Sequence, residues 1–286
     1  MTNHFYKFLL ITFCLLSCSS FGKTNLMQSI DFLGYDLSAP EQKIILGDDL
    51  IEISGLTYIE NDILAAIQDE KGIIYHIDIN KNEIVSKFRF AKNKDYEGIE
   101  MAQNHYYIIS SDGDLYSLNR NEIEDPQTKK FDTPLKAKND VEGLAYDAHN
   151  QLLLIACKGD PKTKINNPDG KAIYAFSLKN NSFDLIYSIS TNSLSKFLNQ
   201  NKSKDIKFSP SGIAVHPITR DIFILSYVDK YLIALTKKGA IKAAVKLDSH
   251  IFKQPEGICF SPTGTLFISN EGKGSKGNIL IFKYQY

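Results

Sequence analysis

Three glutamates, each followed directly by a glycine, are the residues of this sequence best placed to do chemistry. Glu97, Glu142 and Glu256 open the same short pattern, in which Glu-Gly precedes an apolar segment. If the three carboxylates converge, they repel one another, and each pKa rises unless a cation or hydrogen-bond donors offset the charge. Ca²⁺ suits this ligand set better than Zn²⁺, because no His or Cys occupies these positions. Mg²⁺ is the stricter alternative, since it demands a near-ideal octahedron.

The same pattern has a purely structural interpretation. Each glutamate would then accept backbone N–H bonds from a neighbouring repeat and hold the repeats together. Ser54 and Ser211 occupy the glutamate position in two further copies of the pattern. These serines either weaken a metal site or leave an open side for a ligand. The sequence keeps both interpretations open.

Five copies of the pattern define a repeat. Their glycines are Gly55, Gly98, Gly143, Gly212 and Gly257, separated by 43, 45, 69 and 45 residues. A period near 45 residues, with several short strands in each unit, is typical of propeller blades. The sequence therefore predicts an all-β fold, a five-bladed β-propeller. The long interval holds two polar insertions, at 159–171 and 191–207.

The two ends of the propeller are predicted to pair. The last repeat lacks a fourth strand, whereas one spare strand, Lys43-Ile44-Ile45-Leu46, precedes the first repeat. Pairing of the two ends would close the last blade with an N-terminal strand and remove the open edges of the ring.

The predicted ring places the acidic residues at one end of its channel. In a blade, the connection into the first strand and the turn between the second and third strands lie on the same face. We therefore expect Glu97, Glu142 and Glu256 at the mouth of the channel as metal ligands. The turns supply further candidate ligands, which are Asp69, Glu70, Asp112, Asn270 and Glu271.

Residues 1–17 are predicted to be a lipoprotein signal peptide. Lys7 precedes a short apolar run, and Leu15-Leu16-Ser17-Cys18 resembles the lipobox of bacterial lipoproteins. The resemblance implies cleavage before Cys18 and acylation of Cys18, with residues 18–30 as a tether and 31–286 as the propeller. An ordinary secretory signal is the alternative, and both export the chain. A lipoprotein would be anchored in the bacterial cell envelope, facing the periplasm or the surface.

Other classes of function find little support. Lys and Arg together number 33, as do Asp and Glu, and no basic stripe indicates a nucleic-acid partner. None of the six histidines accompanies a plausible nucleophile. Cys157 and Cys259 lie in apolar strands of different repeats, which favours two separate buried thiols over a disulfide.

Once the repeats are aligned, the chain resembles the SdiA-regulated family of bacterial β-propeller proteins. Four segments carry the resemblance, namely Tyr35-Asp36-Leu37-Ser38, Glu52-Ile53-Ser54-Gly55-Leu56-Thr57, Asp95-Tyr96-Glu97-Gly98-Ile99-Glu100 and Gln254-Pro255-Glu256-Gly257-Ile258. It extends over about 31–286. The resemblance implies a five-bladed propeller with a calcium site in its central cavity, and a distant relation to NHL-repeat propellers, some of which are enzymes.

A weaker similarity links the chain to calcium-dependent lactonases of the gluconolactonase and senescence-marker type. In that family, too, metal ligands sit just before a glycine that opens a channel strand. This chain departs from it by having Ser-Gly in place of the Asn-Gly and Asp-Gly versions. That departure weakens the expectation of lactonase activity.

These observations predict a lipid-anchored, extracytoplasmic propeller that binds Ca²⁺ at its channel mouth and acts as a binding or scaffold module. Its partner would be a small molecule or another envelope protein. The alternative is a calcium-dependent hydrolase of a lactone, ester or phosphoester. In that case one carboxylate among Glu97, Glu142 and Glu256 would act as the base.

Overall fold

A computed structural model describes residues 31–164, 166–198 and 206–285. The predicted signal peptide, tether and lipidated Cys18 lie outside the described residues. Within them, the chain is nearly all β, with one short α-helix, α1 (Thr191–Phe197), and two 3-10 helices, Asp48–Leu50 and Ala137–Asn139. No helix of this part of the chain is long and apolar enough to cross a membrane.

Across the described ranges, twenty strands form five antiparallel sheets of four strands each, as predicted. Blade 1 contains β2 (Ile53–Glu60), β3 (Ile63–Gln68), β4 (Ile73–Asp78) and β5 (Glu83–Arg89). Blade 2 contains β6 (Tyr96–Ala102), β7 (His105–Ser110), β8 (Leu115–Asn119) and β9 (Lys129–Phe131). Blade 3 contains β10 (Val141–Asp147), β11 (Leu152–Cys157), β12 (Lys171–Ser177) and β13 (Phe183–Ile189). Blade 4 contains β14 (Pro210–Val215), β15 (Ile222–Ser226), β16 (Tyr231–Leu235) and β17 (Ile241–Lys246).

Blade 5 is closed by the N-terminal strand, which confirms the predicted pairing of the chain ends. β18 (Pro255–Phe260), β19 (Leu266–Asn270) and β20 (Asn278–Phe282) are joined by β1 (Gln42–Ile45), in the order β1-β20-β19-β18. β1 runs antiparallel to β20, with Ile44 opposite Ile279. Ile44 is buried, because its side chain packs into the core between blades 5 and 1.

The core of the protein is divided among the gaps between successive blades. For example, Ile67 and Ile74 of blade 1 pack against Ile99 and Ile108 of blade 2. The two cysteines of the strands lie in different gaps and are both free and buried, as predicted. Each blade is therefore stabilised by packing against its two neighbours.

Five aliphatic side chains close the central channel. They directly follow the glycines of the repeat and are all buried, and they are Leu56, Ile99, Leu144, Ile213 and Ile258. The space left between them is about 10 Å³, at the lower limit for a single water molecule. The three repeat glutamates also border this space, so that the channel ends just below them.

The segment before β1 is anchored by a buried Tyr–His pair. The Tyr35 hydroxyl donates to the carbonyl of Gly264 at 2.6 Å and lies 2.8 Å from Nε2 of His216. Nδ1 of His216 accepts two backbone N–H bonds, from Ile218 and Thr219. Because Nδ1 acts as an acceptor, the ring proton is on Nε2 and is donated to Tyr35. Burial lowers the pKa of His216 to about 4, so the ring stays neutral.

This histidine makes stability depend on pH. The unfolded chain binds the proton near the ordinary pKa of 6.5, whereas the folded protein binds it only near 4, so acid favours unfolding. We expect the free energy of unfolding to fall by up to about 1.4 kcal/mol per pH unit within that window. Thermal melting from about pH 7 to about pH 5 measures this, beside His216→Gln, which does not titrate there. Equal pH slopes for the two proteins would contradict the assignment.

Candidate functional site: an acidic cup at the channel mouth

A β-bulge sets the direction of each repeat glutamate. The register between β6 and β7 shifts between Tyr96 and Gly98, and that between β10 and β11 shifts between Val141 and Gly143. Glu97 and Glu142 are therefore the extra residues of their bulges. The other three inner strands shift at the same place. A bulge bends the strand and re-aims the residue it inserts, which turns these side chains away from the ladder.

The glycine after each bulge lets neighbouring inner strands approach closely. A Cβ atom at Gly212 would lie 2.3 Å from the carbonyl oxygen of Glu256, and one at Gly257 would lie 2.6 Å from that of Ser54. Both distances are too short for real atoms, and both involve the backbone of the next blade. The close approach brings the residues that precede the glycines together around the axis.

These residues form a cup of about 150 Å³ above the aliphatic side chains that close the channel. Its wall contains the predicted trio, Glu97, Glu142 and Glu256, together with two of the predicted turn residues, Asp69 and Glu271. The remaining wall residues are Glu52, Ser54, Lys158, Tyr227 and Gln254. We call this cavity the acidic cup.

The upper wall of the acidic cup follows a second positional rule. Asp69, Lys158, Tyr227 and Glu271 each come directly after the second strand of their blade. The N–H of Lys158 donates to the carbonyl of Asp140 at 2.7 Å, and that of Glu271 donates likewise to Gln254 at 2.9 Å. Sequence reasoning missed Lys158 and Tyr227, although their equivalence to Asp69 and Glu271 in the repeat would have revealed them.

Three predicted turn residues do not reach the acidic cup. Glu70 is exposed beside it. Asp112 forms an ion pair with Lys94 at 2.8 Å and accepts a hydrogen bond from Ser110. Asn270 is buried within blade 5, where its Nδ2 donates to Asn278 at 3.1 Å. Asp112 and Asn270 are thus held by side chains outside the acidic cup.

The trio and Asp69 resist ionisation. Burial, followed by the charges of Glu142 and Asp95, raises the pKa of Glu97 well above its usual range. Burial and Glu142 do the same to the pKa of Glu256. Burial also raises the pKa of Glu142, but the adjacent Lys158 opposes the rise. Burial with four neighbouring carboxylates raises the pKa of Asp69 to about 6. A cation among these side chains would offset the repulsion and favour their ionised form.

Two buried oxygen atoms in the wall point to the kind of group that fits. Oε1 of Gln254 and Oδ1 of Asp69 have no hydrogen-bond partner among the described residues, although Gln254 is only 8% exposed. Nε2 of Gln254 is bonded to Glu271, so the unpartnered atom is the oxygen. Carboxylate and amide oxygens are the ligands that Ca²⁺ prefers, and its coordination is flexible. The wall fits a hard cation, although no three acidic, His or Cys side chains of the described residues already stand at metal-binding distances.

Comparison with known sequences identifies the family. The profile of the SdiA-regulated family matches residues 28–273, which is most of the chain. The chain belongs to the SdiA-regulated family. No sequence among curated proteins matches it.

Solved structures similar to this SdiA-regulated protein share its fold at low sequence identity. The glutaminyl cyclase of Myxococcus xanthus is 11% identical, with a TM-score of 0.58 over 86% of this chain and 96% of that one. A luciferin-regenerating enzyme is 9% identical, with a TM-score of 0.54 over 86% and 95%. A protein of unknown function from Bacteroides thetaiotaomicron is 11% identical, with a TM-score of 0.53 over 82% and 56%. At these identities the similarity shows the fold alone.

In this SdiA-regulated protein, residues other than the trio link neighbouring blades. Glu100 accepts a hydrogen bond from Thr57 Oγ1 at 2.5 Å and from the N–H groups of Met101 at 2.8 Å and Tyr146 at 3.1 Å. It thereby joins the inner strands of blades 1, 2 and 3. Ser211 fastens blade 4 to blade 5 by donating to the carbonyl of Pro255. The carboxylates of the trio accept no backbone N–H bond from the described residues.

We expect Glu100→Gln to destabilise the protein. Three donors share the two carboxylate oxygens of Glu100, whereas the amide of glutamine offers them a single acceptor oxygen. The expected loss is about 1–3 kcal/mol of unfolding free energy, measured by denaturant titration. A pH near 8 is suitable, because burial raises the pKa of Glu100 to about 7 despite the bond from Thr57. Glu256→Gln, which alters a carboxyl group that has no hydrogen bond or ion pair with the described residues, is the control and should cause no loss without metal. Equal losses for the two variants would contradict the division of roles.

Proposed function

We propose that this protein is an exported, lipid-anchored propeller that binds Ca²⁺ in its acidic cup and acts as a binding or scaffold module. The observation that supports the calcium site best is the pair of unpartnered buried oxygens, on Gln254 and Asp69, beside three crowded carboxylates. A buried polar group without a hydrogen-bond partner is costly, and burial and crowding make ionisation of the trio costly as well. A cation coordinated by these oxygens removes both costs.

Glu97, Glu142 and Glu256 would hold the ion from below, and Gln254 and Asp69 would hold it from one side of the wall. When bound, Ca²⁺ would supply positive charge and polarise an oxygen of a ligand. The closed channel below leaves one entrance, so a ligand would enter and leave through the mouth. A cup of about 150 Å³ admits a small group, such as the end of a partner's side chain or a small molecule. The small volume of the acidic cup is consistent with recognition of an exposed group on a larger partner.

The alternative is a calcium-dependent hydrolase of a lactone, ester or phosphoester. One feature favours it, namely an acidic side chain in the wall, Asp69, whose pKa is raised to about 6 by burial and nearby carboxylates. A general base is most effective when its pKa is near the working pH. Asp69 would take this role if the ion needed only the trio and Gln254. If protein oxygens filled every coordination position of the ion, the binding module would be favoured over the hydrolase.

Calcium should stabilise the protein through the acidic cup. We expect Ca²⁺ at about 100 times its Kd to add about 2.7 kcal/mol to the unfolding free energy, relative to protein in EDTA. The variant Glu97→Gln/Glu142→Gln/Glu256→Gln should lose this response. Thermal melting with EDTA, Ca²⁺ and Mg²⁺ measures it.

A matched control removes three exposed carboxylates elsewhere, as Glu83→Gln/Glu122→Gln/Glu124→Gln, and should respond to Ca²⁺ like the wild type. Stabilisation by Ca²⁺ that persists in Glu97→Gln/Glu142→Gln/Glu256→Gln would contradict the calcium site. Lack of stabilisation by Ca²⁺ in the wild type would contradict it as well.

The membrane anchor rests on Cys18, because a lipid on this residue would tether the protein without a spanning helix. We expect Cys18→Ala to abolish incorporation of labelled palmitate in a bacterial host and to release the protein from the membrane fraction. Cys14→Ala, in the same leader, should keep the label. Palmitate on the Cys18→Ala protein would exclude the anchor at this position.

A further inference from the structure

One positive side chain stands among the carboxylates of the acidic cup. The lining residues include six carboxylates, on Glu52, Asp69, Glu97, Glu142, Glu256 and Glu271, and a single cationic group, on Lys158. Nζ of Lys158 forms an ion pair with Glu142, whose side chain is 7% exposed, and lies 3.4 Å from Asp140. It also lies 5.6 Å from the ring centre of Tyr227. Lys158 is thus the counter-ion that the fold itself provides.

The backbone of Lys158 is held by two hydrogen bonds, whereas its side chain lies along the wall of the acidic cup. Its N–H donates to Asp140, and its carbonyl accepts a bond from Nζ of Lys171. Between this fixed backbone and Nζ lie four methylene groups, which can adopt other rotamers. The ammonium group can therefore leave Glu142 without any movement of the strand.

Glu142 differs from its two counterparts in this respect. Glu97 and Glu256 form no ion pair with the described residues, although Glu97 shares a hydrogen bond with Asp95, whereas Glu142 is already paired with Lys158. A cation that uses all three glutamates must take Glu142 from Lys158.

We propose that Lys158 competes with the bound cation for Glu142 and thereby sets the selectivity of the acidic cup for divalent ions. This inference rests on the calcium site proposed above. A monovalent ion that displaces the ammonium group from Glu142 leaves that carboxylate no better neutralised, and it must also lose its own water. A divalent ion brings an additional charge to Glu97 and Glu256, so it gains where the monovalent ion does not.

The test compares calcium binding by wild-type protein, Lys158→Met and Lys273→Met, using isothermal titration of metal-free protein. Met keeps much of the apolar stem and removes the charge. Lys273 acts on the cup carboxylates Glu256 and Glu271 through its charge but does not line the cup, so its variant controls for charge at a distance. We expect Lys158→Met to bind Ca²⁺ about tenfold more tightly than the wild type, and Lys273→Met to change affinity far less.

Monovalent salt provides a second readout. Addition of NaCl should weaken Ca²⁺ binding by Lys158→Met more than binding by the wild type, with choline chloride at equal concentration as the control for ionic strength. Lys158→Arg keeps the positive charge beside Glu142. It should bind Ca²⁺ more weakly than the wild type, because a guanidinium group can donate two hydrogen bonds to one carboxylate.

The outcomes separate the two proposals. Equal or weaker Ca²⁺ binding by Lys158→Met, with a wild type that binds, would overturn the competition and leave the calcium site standing. The same tightening in Lys273→Met would also overturn it, since charge alone would then be the cause. Failure of the wild type and all three variants to bind Ca²⁺ would overturn both. Should Lys158→Met fail to fold, the Ca²⁺ affinities of Lys158→Arg and the wild type decide. Equal or tighter binding by Lys158→Arg would then overturn the competition.

Discussion

The close approach of five inner strands around one axis is the constraint on which the rest of this structure depends. At Gly257 a Cβ atom would lie within 2.3 Å of the Leu56 side chain and 2.6 Å of the Ser54 carbonyl, so the blades can meet only where no side chain intervenes. The same contact produces two neighbouring layers. The residue after each glycine is pressed into the apolar closure of the channel, and the residue before it is turned by a bulge toward the mouth. Crowding of carboxylates above the axis is therefore a direct result of how the ring closes.

Two glutamates three residues apart on one strand show that the fold can satisfy a carboxylate where it is structural. Glu100 receives bonds from one hydroxyl and two N–H groups on three adjacent inner strands. Glu97 receives no N–H or hydroxyl hydrogen bond from the described residues; its carboxyl group instead shares a hydrogen bond with that of Asp95 and faces the charge of Glu142. Burial and these neighbours hold the Glu97 carboxyl group away from its ionised form, and a bound cation would reverse this. The contrast between the two residues supports a ligand at Glu97 more strongly than the number of acidic residues does.

Much of the fold could be predicted from the sequence because its signals are local and repeated. The spacing of the glycines predicted the five blades, and the missing strand of the last repeat predicted the pairing of β1 with β20. The positions of Glu97, Glu142 and Glu256 at one mouth followed from the same repeat. The bulges could not be predicted, because a bulge is a mismatch between two strands and leaves no mark in one of them alone. Lys158 was missed because sequence reasoning sought ligands of one charge, whereas the equivalent turn positions carry Asp69, Tyr227 and Glu271 as well.

The first polar insertion of the chain has a physical role that links these observations. It starts directly after Lys158, and its backbone is held to the connection between blades 2 and 3 by Asn139, whose Nδ2 donates to the carbonyls of Asp160 at 2.6 Å and Lys162 at 3.0 Å. Lys171, at its end, bonds the Lys158 carbonyl. The insertion thus braces the backbone of the one basic residue in the cup wall, among the residues described, while leaving its ammonium group able to move. Variation in this loop would change how firmly Lys158 is held, and with it the balance between the internal cation and a bound one.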